Sequence, residues 1–211
     1  MLIGIKQGIN LARINYQQSI HQDVVKFDYN KGYSGGLVFQ YFSEKKLGLQ
    51  VELLYSHKGF ITQYDTVNDN QYQRDIKYIS FPLLTHFYLL QKNTSPFLLL
   101  GGFGSIAVSS REKFIDHHTV TLIQDYTYNR KHDNRGEFGL VAGFGIKRIF
   151  PFGTLQAQAE YSFSFSSLYK WGTVSDNTSL DNYFKIPEVA QNQVITISVS
   201  YLLTIKKKTF N

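Results

Sequence analysis

The chain has no cysteine, one methionine, one tryptophan and only four prolines in 211 residues. Without thiols there is no disulfide scaffold, no thiolate zinc site and no cysteine nucleophile. No run of 18 apolar residues occurs, which excludes a transmembrane helix. Charge is sparse, at 18% against 43% hydrophobic residues, and that apolar fraction is too high for a disordered chain. No G-x-S-x-G segment is present, so the nucleophile elbow of α/β hydrolases is absent.

What the chain does have is aromatic residues, 17 Phe and 15 Tyr, and these favour strands. The main pattern is alternation with a period of two. Leu155, Ala157, Ala159, Tyr161, Phe163 and Phe165 oppose Gln156, Gln158, Glu160, Ser162, Ser164 and Ser166. In the same way Ile3, Ile5, Ile9 and Leu11 oppose Gly4, Lys6, Gly8 and Asn10. Leu49, Val51, Leu53 and Tyr55 oppose Gln50, Glu52, Leu54 and Ser56. The pattern predicts eight strands, approximately 2–13, 33–42, 47–60, 77–90, 96–109, 136–148, 152–166 and 193–205. Ordinary strands run to about 5–6 residues, so these are long.

Short and long links alternate. Residues 43–46, 91–95 and 149–152 make short links, whereas 14–32, 61–76, 110–135 and 167–192 make long ones. In an antiparallel meander all long loops then fall at one end. This predicts an all-β, eight-stranded antiparallel up-and-down transmembrane β-barrel, with short connections and termini on the periplasmic side and four long extracellular loops. The mean hydropathy of −0.23 agrees, since only every second strand residue meets lipid. Two aromatic girdles are expected. Tyr41, Phe42, Phe87, Tyr88, Phe150, Phe152 and Tyr201 are assigned to the short-turn end. Tyr16, Tyr33, Tyr55, Phe60, Phe163, Phe165, Tyr169 and Trp171 are assigned to the other. Of the formal charge of +6, residues 43–46, 91–95, 147–153 and 206–211 hold eight basic and one acidic residue. A basic ring at the periplasmic end is the expectation, facing lipid phosphates. The first residues enter the alternation directly, and the expected location, the outer membrane, implies a signal removed beforehand.

A barrel of eight strands is just wide enough to be filled by side chains. Its expected interior is small and amide-rich, with Lys6, Gln50, Glu52, His86, Glu137, Lys147, Gln156, Gln158 and Glu160 pointing inward. Buried charges must be paired, so Lys6 is expected beside Glu160 or Glu52. No catalytic site is expected, because Ser80 and His86 are separated by about 20 Å of extended strand. Asp116, His117, His118, His132 and Asp133 share a loop without ligand spacing, so no metal and no cofactor is expected. Gly101-Gly102-Phe103-Gly104 and Gly143-Phe144-Gly145 are not followed by helices and read as strand glycines rather than phosphate loops. No nucleic-acid motif occurs. The segment Thr119–Ile123 alternates and suggests a hairpin beyond the membrane, able to accept a partner strand. Tyr126, Tyr128, Trp171, Tyr183 and Phe184 are the candidate partner-contact residues of the long loops.

Several stretches carry a resemblance across nearly the whole chain: Gly4 to Leu11, Leu49 to Phe60, Tyr78 to Leu84, Pro96-Phe97 with Gly101-Gly102, Gly139 to Gly145, and Ala159 to Ser162. In their order and spacing the chain resembles the PorT-type outer-membrane β-barrel domain family of Gram-negative bacteria. The resemblance implies an exported eight-stranded outer-membrane barrel with no common enzyme activity, some relatives of which assist secretion. The resulting expectation is a non-enzymatic protein with a structural or interaction role. It would be an accessory subunit of an outer-membrane secretion or assembly complex, or a surface protein acting through its loops. Its partners would be outer-membrane lipid and a protein reached through the long loops or the lipid-facing surface. The alternatives are an outer-membrane lipid-modifying enzyme and a soluble, lipocalin-like binder of apolar ligands.

Overall fold

The computed structural model describes residues 1–17, 25–42, 46–64, 70–90, 92–116, 119–129, 133–170 and 189–205. They form β1 (Leu2–Gln17), β2 (Val25–Phe42), β3 (Leu47–Tyr64), β4 (Asn70–Tyr88), β5 (Thr94–Asp116), β6 (Thr119–Asp125), β7 (Gly136–Phe150), β8 (Gly153–Ser167) and β9 (Val189–Thr204). Every pairing is antiparallel, and β1 to β5 with β7 to β9 close a ring of eight. The seam joins the two ends of the chain, running from Leu2↔Thr204 to Gln17↔Val189. Closure removes the free edges that an open sheet would leave in lipid.

The strand β6 is a ninth element within the long link 110–135, at the Thr119–Ile123 segment whose alternation suggested a hairpin. It lies on the upper part of β5, from Arg111↔Asp125 to Asp116↔Thr119. The partner β7 reaches only from Thr94↔Arg148 to Ile106↔Gly136. At the long-loop end β6 thus takes the place beside β5 that β7 leaves, at the height of the upper parts of β3 and β4.

Burial is inverted relative to a water-soluble barrel. The outward residues are apolar and exposed, with Ile9 at 63% and Phe144 at 64%, whereas Gln50, His86 and Gln156 are at 0%. On β4 and the residues after it, the outward series is Ile79, Phe81, Leu83, Thr85, Phe87 and Leu89. That series spans about 33 Å of strand, which at a tilt of about 40° covers about 25 Å, the height of an outer-membrane apolar band. Pro82 lies on the interior face, and the β3–β4 ladder is interrupted beside it between Val51↔Leu83 and Leu54↔Ser80, with the register kept. Proline has no N–H to offer the ladder. At Gly36 and Gly101 a Cβ would fall 2.0 Å from the Leu53 and Leu83 carbonyl oxygens. Only glycine permits that approach of neighbouring strands.

Four aromatics assigned to the girdles are inside instead. Phe60 and Tyr88 are buried in the lumen at 2% exposure, Phe42 packs against Tyr88, and Tyr169 packs against the cluster around Phe60. The interior is therefore not uniformly small and amide-rich. Leu84, Leu99, Phe97, Phe103 and Val141 fill part of it with Tyr88. Lys147, assigned both to the lumen and to the periplasmic ring, is buried in the lumen. Residues 43–45, 91 and 206–211 of that ring, with Tyr16's side chain and Trp171, lie outside the description.

Candidate functional site

The polar interior is built by alternation, which sends the even-numbered residues of β1 and β3 inward. Lys6 donates to both Glu52 oxygens, at 2.9 and 3.0 Å, and to Glu160 at 2.7 Å. It lies opposite Gly36 on β2 and Ser200 on β9. Neither neighbour carries a bulky side chain, so the ammonium spans two strands each way and ties β1 to β3 and β8. Gln50 donates to Glu52 and Gln158 to Glu160. Each carboxylate thus accepts one amide hydrogen bond besides its contact with the single lysine they share.

Above this layer, Asn10 donates to Ser56 at 3.1 Å and accepts from Thr196 at 2.9 Å. A cavity of about 50 Å³ adjoins it, lined in part by Lys58 and Glu160, with room for a few waters. Lys58 donates to Glu137 at 2.9 Å, and Asn192 donates to the other Glu137 oxygen at 3.1 Å. The Lys58 ammonium also stands 5.0 Å from the Tyr78 ring and 4.9 Å from the Phe103 ring. Toward the short turns, Gln40 donates to the Tyr88 hydroxyl at 2.7 Å, and His86 stacks on Phe97 at 4.6 Å. Lys147 sits 3.5 Å from the Tyr88 ring centre.

The long-loop mouth is organised by Arg74. Its guanidinium donates to Ser110 and to the Tyr169 hydroxyl, both at 3.1 Å, and lies 3.6 Å over the Tyr126 ring. The planar cation matches both the stacking face and the hydrogen-bond directions. Tyr126 donates to the Asp133 carboxylate at 2.8 and 2.9 Å, and the Asn129 amide donates to it at 2.6 Å. Burial pushes the Tyr126 and Tyr128 hydroxyls above their usual pKa, so both stay protonated and able to donate. Arg74→Lys keeps the charge and loses the fork and the stack. The expected result is hydrogen exchange at the Asn129 amide faster by about tenfold, from loss of about 1.4 kcal/mol of local protection. Exchange in β1 and β9 should be unchanged, as read by mass spectrometry.

Of the residues singled out from sequence, Lys6, Gln50, Glu52, Gln158 and Glu160 meet in one layer. Gln156 lies nearer Tyr88, 3.5 Å from its hydroxyl, and Glu137 belongs to the layer of Lys58. Tyr126 and Tyr128 turn into the mouth toward Arg74, while Trp171, Tyr183 and Phe184 fall outside the described residues. Lys58 and Arg74 were not singled out, and Asp133 was weighed only as a metal ligand. Lys58 shares the parity of Glu52 and Ser56, which is a signal the sequence carried. Arg74 lies beyond the apolar alternation and carried none.

Ser80 accepts from Ser105 at 2.9 Å, and among the described residues no histidine is hydrogen-bonded to a serine. Nor do three or more potential ligands cluster among them, while His117, His118 and His132 lie outside.

A closed ring with a lipid-like exterior and a salt-bridged interior defines an outer-membrane β-barrel protein. Residues 1–170 match the outer membrane protein beta-barrel domain family, and the chain belongs to that family. Its place is the outer membrane. No curated protein matches it. The solved structures similar to it include the following three. Ail, the attachment invasion locus protein of Yersinia pestis, in complex with the heparin analogue sucrose octasulfate, is 15% identical, with 96% of this chain and 98% of that one covered and a TM-score of 0.42. OprG from Pseudomonas aeruginosa is 14% identical, with 96% and 95% covered and a TM-score of 0.49. Neisserial surface protein A is 13% identical, with 94% and 96% covered and a TM-score of 0.42.

Proposed function

We propose that the protein is a non-enzymatic, non-conducting barrel of the PorT type that holds an interaction surface at the cell exterior, as an accessory subunit of a larger outer-membrane assembly. The observation that carries this reading is the filled interior. The Tyr88–Phe97 cluster, the Lys6 layer, the Lys58 layer and the Arg74 cage succeed one another along the lumen. A conducting pore needs a continuous wet path, and paired charges bound across the lumen oppose one. In planar bilayers the purified protein should give no steady conductance steps; reproducible open-channel steps would overturn the reading.

The surface favoured for the partner is the β5–β6 hairpin. Leu122 and Ile123 on β6 are exposed at 48% and 58%, above the lipid-facing band. An exposed strand edge accepts another strand through its backbone groups. Purification from native membranes in mild detergent should yield a stoichiometric partner, and Leu122→Asp with Ile123→Asp should release it. A monomer from native membranes would refute the accessory role, and a partner retained by the double variant would refute the hairpin as its contact.

A further inference from the structure

On the described strands, cations on outward faces at the long-loop end fall on one part of the ring. They are Arg13 on β1, Lys31 on β2, Lys77 on β4, and Arg111 and Lys113 on β5, whereas β8 and β9 contain no Lys or Arg. Between β2 and the segment after β6 runs a groove of about 650 Å³, bounded by Tyr33, His57, Lys77, Val108, Arg111 and Arg135. Two of its cations are matched: Lys113 with Asp75 at 3.2 Å, and Arg111 with Asp125 at 2.9 Å. Lys77 and Arg135 have no carboxylate within ion-pair distance among the described residues. The Arg135 guanidinium lies instead 4.5 Å from the Tyr128 ring. The groove therefore carries two cations in excess.

Its depth in the membrane is fixed by its neighbours. Lys77 is the next outward residue beyond Ile79, and Val108 follows Ile106, both at the end of the exposed apolar band. Tyr33 stands edge-on to His57 at 5.4 Å and continues to Tyr55 at 6.4 Å, which places tyrosines where the headgroups begin. One edge of the groove is thus apolar and lipid-facing, its β2–β3 side is aromatic, and its remaining lining holds the unmatched cations, with Lys77 next to His57 in register. A free anion would use only the last of these. A lipid would use all three, with acyl chains along Ile79, Ile106 and Val108 and a phosphate at the cations.

We propose that this groove binds the phosphorylated headgroup of an outer-leaflet lipid, with Lys77 and Arg135 holding the phosphate. The test uses the full chain in nanodiscs of neutral phosphatidylcholine. It is titrated with a phosphorylated glycolipid, with the same glycolipid after phosphate removal, and with inorganic phosphate. The phosphorylated lipid should bind saturably, and Lys77→Gln with Arg135→Gln should weaken it roughly 30-fold, with Lys77→Gln alone giving about fivefold. Arg13→Gln, outside the groove, should leave binding as it was, and circular dichroism should report the same strand content for every variant. Equal binding of the dephosphorylated lipid, unchanged affinity in the double variant, or displacement by millimolar inorganic phosphate would each overturn the assignment.

Discussion

Lys6→Ala is expected to destabilise the folded barrel by about 3–5 kcal/mol, the cost of leaving buried charge without its partner. Two carboxylates depend on this one ammonium. Glu52 has a side chain that is 0% exposed and Glu160 one that is 10% exposed. Alanine would leave them on facing parts of the wall, with only the Gln50 and Gln158 amides as side-chain donors. The effect should be electrostatic rather than steric. Lys6→Met together with Glu52→Gln and Glu160→Gln removes all three charges at similar volume and should recover most of the loss. Guanidinium unfolding in lipid vesicles, followed by circular dichroism, measures both. A single variant within 1 kcal/mol of the parent, or a triple variant worse than the single one, would show that the layer does not hold the wall together.

The same residues show what was legible beforehand. Lys6 could be aimed inward from Ile3, Ile5 and Ile9, because a strand has only two faces and three branched apolar residues claim one of them. The same parity rule contradicts part of the girdle assignment. Phe87 and Tyr88 are adjacent, as are Tyr41 and Phe42, so neither pair can face lipid together. The structure sends Tyr88 and Phe42 inward, where they meet at 5.6 Å. Aromatic composition at a strand end marks an interface only after parity has been applied.

Strand length was less legible. The expected strand 33–42 is Val25–Phe42, and the expected 96–109 is Thr94–Asp116. Apart from Thr94 and Ser95 at the short-turn end, the added residues lie above the lipid band, where the outer face of the wall meets polar surroundings. There the apolar–polar contrast that reveals a strand disappears. Lys31, Arg111 and Lys113 are outward residues of those extensions, and sequence alone gives them the appearance of loop charge. The cage of Arg74 was hidden for a related reason. Its parts come from β4, β5 and the segments after β6 and β8, joined by ring closure rather than by any spacing along the chain.

Leu83→Arg tests which solvent the exterior meets. Leu83 lies midway between Ile79 and Phe87 on the outward face of β4, is 52% exposed, and is flanked in register by Val51 and Gly102. If water lay outside, a guanidinium there would be solvated and stability would change by less than about 0.5 kcal/mol. In a bilayer the same position is near the midplane, and arginine on the lipid face of a barrel costs about 2–4 kcal/mol there, falling toward zero at the interface. Lys77 supplies the internal comparison, since it belongs to the same face and already carries a charge at the upper boundary. Lys77→Arg should therefore be close to neutral. The expected order in vesicle unfolding is Leu83→Arg far below both the parent and Lys77→Arg. Equal stability of the Leu83→Arg variant, or detergent-free solubility of the parent, would place water on the outer face. Ile9 and Phe144, more than 60% exposed, would then lie open to solvent. Exposure of that kind is stable only where hydrocarbon covers it.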